Sequence, residues 1–245
     1  GRPTFERQYR HNQEDGVTRL YFPTGGAYRE YDYRNGVQFG KIREFYANGQ
    51  LRGVYETSDG IRHGAGKEYY STGELLLDGF FEDDKLNGLT QIFYKNGKPR
   101  VRANYINGHA DDEAWREFYE SGSLHWVVPV KNDLKQGVGR EYYEEGQLKA
   151  EGPFKDGRCQ GTFKLYDPAG WVSAEETYEY GRLMRRTEFF DSGKMKSDQY
   201  FYSNDTGQTA PVGRLPSADE RGNGLLPQTE GILLNEFKAF DPRDP

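Results

Sequence analysis

The 245-residue sequence predicts an all-β protein, an elongated antiparallel meander of about eight 24-residue β-hairpin units that forms a twisted open sheet and ends in an irregular or short helical tail. Three observations carry that prediction. Glycine recurs at Gly25, Gly49, Gly73, Gly97, Gly122, Gly146, Gly170 and Gly193, in steps of 23 to 25 residues, the signature of a repeat architecture. Four residues before each glycine stands an aromatic ring: Tyr21, Phe45, Tyr69, Phe93, Phe118, Tyr142, Tyr166 and Phe189. Eleven residues after it comes a second column of turn formers, Gly36, Gly60, Asp84, Gly108, Asp133, Gly157, Gly181 and Asn204, all residue types that accept a positive φ.

Along the chain, residues 1–18 are polar and lack the repeat, which makes them an N-terminal extension. The array occupies residues 19–202. In a typical unit Lys41–Tyr46 is one strand, Ala47-Asn48-Gly49 the turn and Gln50–Glu56 the returning strand, with Asp59-Gly60 closing the unit. A second aromatic column three before the turn glycine includes Phe22, Tyr46, Tyr70, Tyr94, Tyr119, Tyr143 and Phe190, interrupted by Asp167. A late glycine column, Gly40, Gly64, Gly88, Gly137 and Gly161, is broken by Asp112 and Arg185. Between Gly108 and Gly137 the period stretches by one residue, and the segment gains Trp115, His125, Trp126 and Pro129. Pro129 cannot donate to a ladder, so an edge or a bulge is expected there. Residues 203–245 are a different region: a Pro/Gly-rich linker leads to Gly231–Phe240, where Leu233, Phe237 and Phe240 are spaced for one helical face. That segment is either a cap on the array or a partner-binding element.

Composition sets limits on function. Leu, Ile, Val and Phe supply 47 residues, about 19%, a level that warns of disorder. The 37 Phe, Tyr and Trp residues answer the warning, because each ring buries roughly 150–250 Å². No stretch of 18 uninterrupted apolar residues is present, so no transmembrane helix is expected. A net charge of −6 argues against nucleic-acid or anionic-membrane binding by the molecule as a whole, while leaving room for a local basic face. The single Cys159 excludes an intramolecular disulfide and a multi-cysteine zinc site, and leaves the compartment open. The chain opens on Gly1 instead of Met, the form expected of a processed or trimmed chain.

Motifs for catalysis are lacking. Glu120-Ser-Gly-Ser-Leu124 has the wrong spacing for a nucleophile elbow. Gly64-Ala-Gly-Lys67 is half a phosphate loop, with Ile61 where the first glycine belongs and Glu68 where Ser or Thr is needed. His11, His63, His109 and His125 form no paired metal-ligand motif, and the acidic clusters at 82–84 and 111–113 lack calcium-loop spacing and suit solvated turns. The reading is therefore a non-enzyme, with no catalytic, metal or cofactor-binding residue and no cofactor.

The string Tyr142-Tyr-Glu-Glu-Gly-Gln-Leu148, followed by Phe154-Lys-Asp-Gly157 and then Gly161, resembles the MORN repeat, in the variant found in the YwqK family of antitoxin-like proteins. The resemblance covers residues 19–202. It implies binding without catalysis: an immunity or antitoxin protein that neutralises a cognate bacterial toxin, such as a phospholipase-like, membrane-attacking effector of type VI secretion. It places such a protein in the periplasm, or alternatively the cytoplasm. MORN proteins elsewhere imply the other class, a scaffold or membrane-associated module on anionic lipid or another protein.

The repeat also predicts what each face presents. Six before the turn glycine stand Arg19, Arg43, Lys67, Gln91, Arg116, Arg140, Lys164 and Thr187, and five before stand Leu20, Glu44, Glu68, Ile92, Glu117, Glu141, Leu165 and Glu188. Neighbouring strand positions face opposite ways, so one face carries a basic ladder and the other an acidic one. Tyr, Trp and Arg dominate interface energetics. The irregular segment therefore supplies the candidate protein-binding patch Tyr94, Trp115, Tyr119, Trp126 and Tyr143. The competing reading makes its tryptophans plugs in a bend of the sheet.

Overall fold

The structure, a computed structural model, describes residues 4–203 and 209–212. Residues 1–212 form one compact unit; residues 213–245, including the apolar face expected at Leu233, Phe237 and Phe240, lie outside the described residues. Every regular element among the described residues is a β-strand, and 22 of them join one antiparallel sheet. Consecutive strands pair in order from Gly16–Tyr21 through to Met195–Ser203, as a hairpin meander.

All eight predicted turns share one geometry. The glycine N–H donates to the carbonyl three residues back, as Gly49 does to Tyr46, while the Tyr46 N–H donates to Gln50. The eight glycines lie at φ between 75° and 103°, so each closes a three-residue loop with a bulge. The opposite turns are two-residue loops with φ positive at both positions, the type I′ that matches strand twist. Asn35, Asp59, Asp83, Asn107, Asn132, Asp156 and Tyr180 come first, with φ of 49–53°, and Gly36, Gly60, Asp84, Gly108, Asp133, Gly157 and Gly181 follow at 64–86°, while Asn204 lies outside the described residues. The acidic cluster at 82–84 is thus a turn. Where Asp replaces glycine its carboxylate also binds the neighbouring backbone, since Asp84 Oδ1 accepts the Arg62 N–H at 3.0 Å and Asp133 Oδ1 that of Ala110 at 2.7 Å.

The late glycines all adopt positive φ and sit in short breaks or register shifts of the strand. Asp112 replaces one of them with its carboxylate, which accepts the N–H groups of Asn104 and Ala114, both at 2.9 Å.

The repeat reaches further back than residue 19. His11 and Asn12, at φ 48° and 62°, turn a small hairpin of Tyr9–Arg10 and Gln13–Glu14, and Gly16 stands 24 residues before Gly40 at φ 119°. Phe5–Glu6 pairs with Arg19 and Leu20, and the Gln8 side chain accepts the Val17 N–H at 3.2 Å, covering a sheet edge. His11-Asn12 and Gly16 thus keep the spacing of the array's second turn and late glycine. At the other end Thr209–Val212 pairs with Tyr200–Ser203 and carries the sheet beyond residue 202.

Candidate interaction surface

The two faces of the sheet are built differently. On one, rings lie across glycines of the neighbouring strand. Tyr55 meets Phe81 edge-on at 5.4 Å, and Trp126, Phe154, Phe163 and Tyr178 form a continuous edge-to-face series at 6.3, 5.4 and 5.3 Å. A Cβ on Gly139 would stand 2.8 Å from the Phe154 ring, and one on Gly152 would collide with Phe163. Small residues in one strand therefore make room for large rings in the next, and a sheet poor in aliphatics obtains a core.

Trp115 and Trp126, the centre of the candidate patch, are 8% and 3% exposed. Both are core residues of this face, so neither offers its ring to a partner. That corrects the expectation that the irregular segment displays its tryptophans. Tyr94, Tyr119 and Tyr143 are half-buried, and their hydroxyls belong to a ladder that the sequence alone does not indicate. Tyr46, Tyr70, Tyr94, Tyr119 and Tyr143 donate to the carbonyls of Tyr69, Phe93, Phe118, Tyr142 and Tyr166 in the following repeat, at 2.7–2.9 Å. At these five positions the second aromatic column is tyrosine, and the ring's tip has an acceptor there. Partial burial pushes the hydroxyls of Tyr94, Tyr119 and Tyr143 up in pKa, which keeps them protonated as donors.

Three of the five candidates meet around one buried carboxylate. The Tyr119 ring stacks on His125 at 4.2 Å, and His125 borders Trp126 at 6.1 Å. His125 Nε2 lies 3.4 Å from Glu141 Oε1, and Lys149 Nζ lies 2.7 Å from the same oxygen and over the Tyr143 ring. Burial pushes the Glu141 carboxyl up, but the bonds from His125 and Lys149 outweigh it and hold it below its usual value. Glu176 is buried likewise, held by Tyr178 at 2.7 Å and Arg186 at 2.9 Å. Lys135 lies over Trp126 and Phe154, and burial lowers its pKa. Glu141, Glu176 and Lys135 thus each have a partner or a ring, while the Thr90 hydroxyl and the Arg186 Nε are buried without a hydrogen bond.

The other face carries the basic ladder, and the register shows its neighbours. Arg19, Glu30, Arg43, Val54, Lys67, Asp78, Gln91, Arg102, Arg116, Val127, Arg140, Glu151, Lys164, Glu175, Thr187 and Asp198 stand opposite one another in succession, one per strand. Arg19 pairs with Glu30 at 2.7 Å, Lys67 with Asp78 at 3.2 Å and Arg140 with Glu151 at 3.3 Å, while Arg43 reaches Asp32 at 3.1 Å. The ladder is thus largely a row of cross-strand ion pairs. The acids lie five residues after the turn glycines, a column present in the sequence whose partners only the register supplies. Large apolar side chains border the row, among them Leu89, 51% exposed, and Val138, 47% exposed. Tyr180, 78% exposed, occupies a turn position that is Asn or Asp in the six preceding units.

Among the described residues no cluster of His, Cys, Asp and Glu is placed to hold a metal, and no helix is long and apolar enough to cross a membrane. No curated protein matches the chain. A solved structure, the crystal structure of TcdB2-TccC3-Cdc42, aligns with 79% of this chain at 13% identity and a TM-score of 0.19; the chain spans 15% of that one, and so slight a likeness carries no argument. The family model for the MORN repeat variant matches residues 62–83, 86–107, 135–156 and 160–180. The stretch between the second and third matches is the irregular segment with Asp112, Trp115, His125 and Pro129. Four of the units that share this one turn geometry therefore match the MORN repeat variant.

Proposed function

We propose that this protein is a non-catalytic binding module for another protein, and specifically an immunity protein that holds a cognate bacterial toxin inactive. MORN repeats are protein- or membrane-binding modules, and the observation that favours protein is the ion-pair row. A basic ladder suited to anionic lipid is internally neutralised at Arg19, Arg43, Lys67 and Arg140, which weakens attraction to a charged surface and leaves rings and apolar side chains as the exposed affinity elements. The toxin would be a secreted effector that attacks membranes, met in the periplasm. The second reading, a scaffold on anionic membrane, is favoured by one feature only, the absence of acids in the row between Asp78 and Glu151.

The test is co-purification with the product of the adjacent open reading frame, alongside sedimentation with phosphatidylserine vesicles, each at about 0.05 and 0.2 M salt. A stoichiometric protein complex that survives the higher salt is the expected result. Sedimentation with vesicles at low salt, lost at high salt, without a protein complex, overturns it.

A further inference from the structure

We propose that the outer face between Asp78 and Glu151 is a docking surface for an acidic, partly apolar extended segment of a protein partner, whose carboxylates bridge Arg102 and Arg116. The proposal rests on the protein-binding reading and names the chemistry of the partner. Its central observation is that Arg102 and Arg116 stand directly opposite each other in register. Like charges so placed destabilise a sheet, and elsewhere in the row bases face acids or neutral residues. Neither arginine has an ion-pair partner among the described residues. Arg102 is exposed, and the Arg116 guanidinium donates to the carbonyl of Ala114 in its own strand, at 2.9 Å.

The nearest acids of the row are engaged, as is Asp112. Asp78 serves Lys67, Glu151 serves Arg140, and Asp112 accepts two backbone N–H groups. From Asp78 to Glu151 the row reads Gln91, Arg102, Arg116, Val127 and Arg140, a charge unbalanced toward the positive in a chain of net charge −6. Charge complementarity therefore selects an acidic occupant, and guanidinium forks suit carboxylates bidentately. Two residues along the strands, on the same face, run Phe80, Leu89, Asn104, Ala114, Pro129 and Val138, so apolar side chains lie at both ends of the span, which a free anion leaves unused and peptide side chains cover. At about 4.8 Å per strand, Gln91 to Arg140 spans roughly 19 Å, the length of about six extended residues.

The experiment measures fluorescence anisotropy of the full chain with a labelled peptide of alternating Glu and Leu. Alternating Lys and Leu is the control peptide, and phosphatidylserine vesicles are a separate arm. The Glu–Leu peptide is expected to bind, and Arg102→Glu to weaken it about tenfold or more. Lys164→Glu, the same charge change outside the span, is expected to leave affinity within about twofold. Arg102→Glu is also expected to keep or raise the thermal midpoint, since a carboxylate facing Arg116 restores the alternation of the row. Equal losses in both variants, or binding of both peptides alike, overturns the surface and leaves the protein-binding reading standing. Binding to vesicles with neither peptide bound overturns both.

Discussion

The two faces of one sheet divide stability and recognition between them. The interior face is made of rings laid on glycines, with Trp126, Phe154, Phe163 and Tyr178 each touching the next, and every position there depends on the size of its neighbour. The outer face is made of ion pairs in water, where each pair contributes about 0–1 kcal/mol. A face whose residues carry little of the fold is free to vary from unit to unit. The irregularity on the interior, Trp115 and Trp126, is a packing solution, whereas that on the exterior, Arg102 against Arg116, has no structural return. Departure from a repeat is informative about binding only on the face where folding does not set the residue.

Substitutions of falling effect sharpen that contrast. Trp126→Ala empties a core site and is expected to cost about 3–5 kcal/mol, read by chemical denaturation; retention of wild-type stability would remove the ring series from its role. Gly152→Ala drives a methyl into the Phe163 ring and is expected to cost about 1–3 kcal/mol by the same measurement. Tyr119→Phe deletes one rung of the hydroxyl ladder, leaves the Tyr142 carbonyl short of a donor and is expected to cost about 1 kcal/mol.

Glu68 tests the interior's tolerance of charge. Burial lifts its carboxyl above the usual value, against the hydrogen bond from Tyr55, so the folded state holds the proton more tightly than the unfolded chain. Its contribution is full below the ordinary carboxylate pKa and is lost as pH rises through the raised folded value. Glu68→Gln, which keeps an acceptor for Tyr55, is therefore expected to raise the thermal midpoint at about pH 7 and to leave it unchanged at about pH 3. The smallest effect belongs outside: Arg140→Ala is expected to change stability by less than about 1 kcal/mol, a difference that shrinks with added salt. A large loss there would erase the distinction between the faces.

The hairpins, both turn columns and their phase are legible in the sequence because a glycine, Asn or Asp at positive φ is a local requirement written at a fixed place. The N-terminal turn is written in the same terms, through Asn12 and Gly16, but Asn stands there in a column that is Gly or Asp in most units. The tyrosine ladder is hidden because its donor and acceptor lie in successive units, and only the register brings Tyr94 to the Phe118 carbonyl. Face assignment follows from alternation along the strand, yet which face becomes interior depends on rings finding glycines across strands, as Phe154 finds Gly139. The expectation of a displayed patch around Trp115 and Trp126 fails for that reason. Arg102 escapes a column-by-column reading because it stands five after one turn glycine, and only strand pairing sets it against the basic column six before the next.

The hydroxyl ladder also has a direction. Each of the five tyrosines reaches forward to the following repeat and none reaches back, so the four units that carry Tyr70, Tyr94, Tyr119 and Tyr143 each present one donor at the leading side and one acceptor at the trailing side. A complete unit can then be excised or duplicated with its neighbours rejoining head to tail, whereas loss of a single residue shifts the alternation of faces and strands both groups. The array is in that sense modular stock, able to change length by whole units under selection for a longer or shorter partner without redesign of any joint.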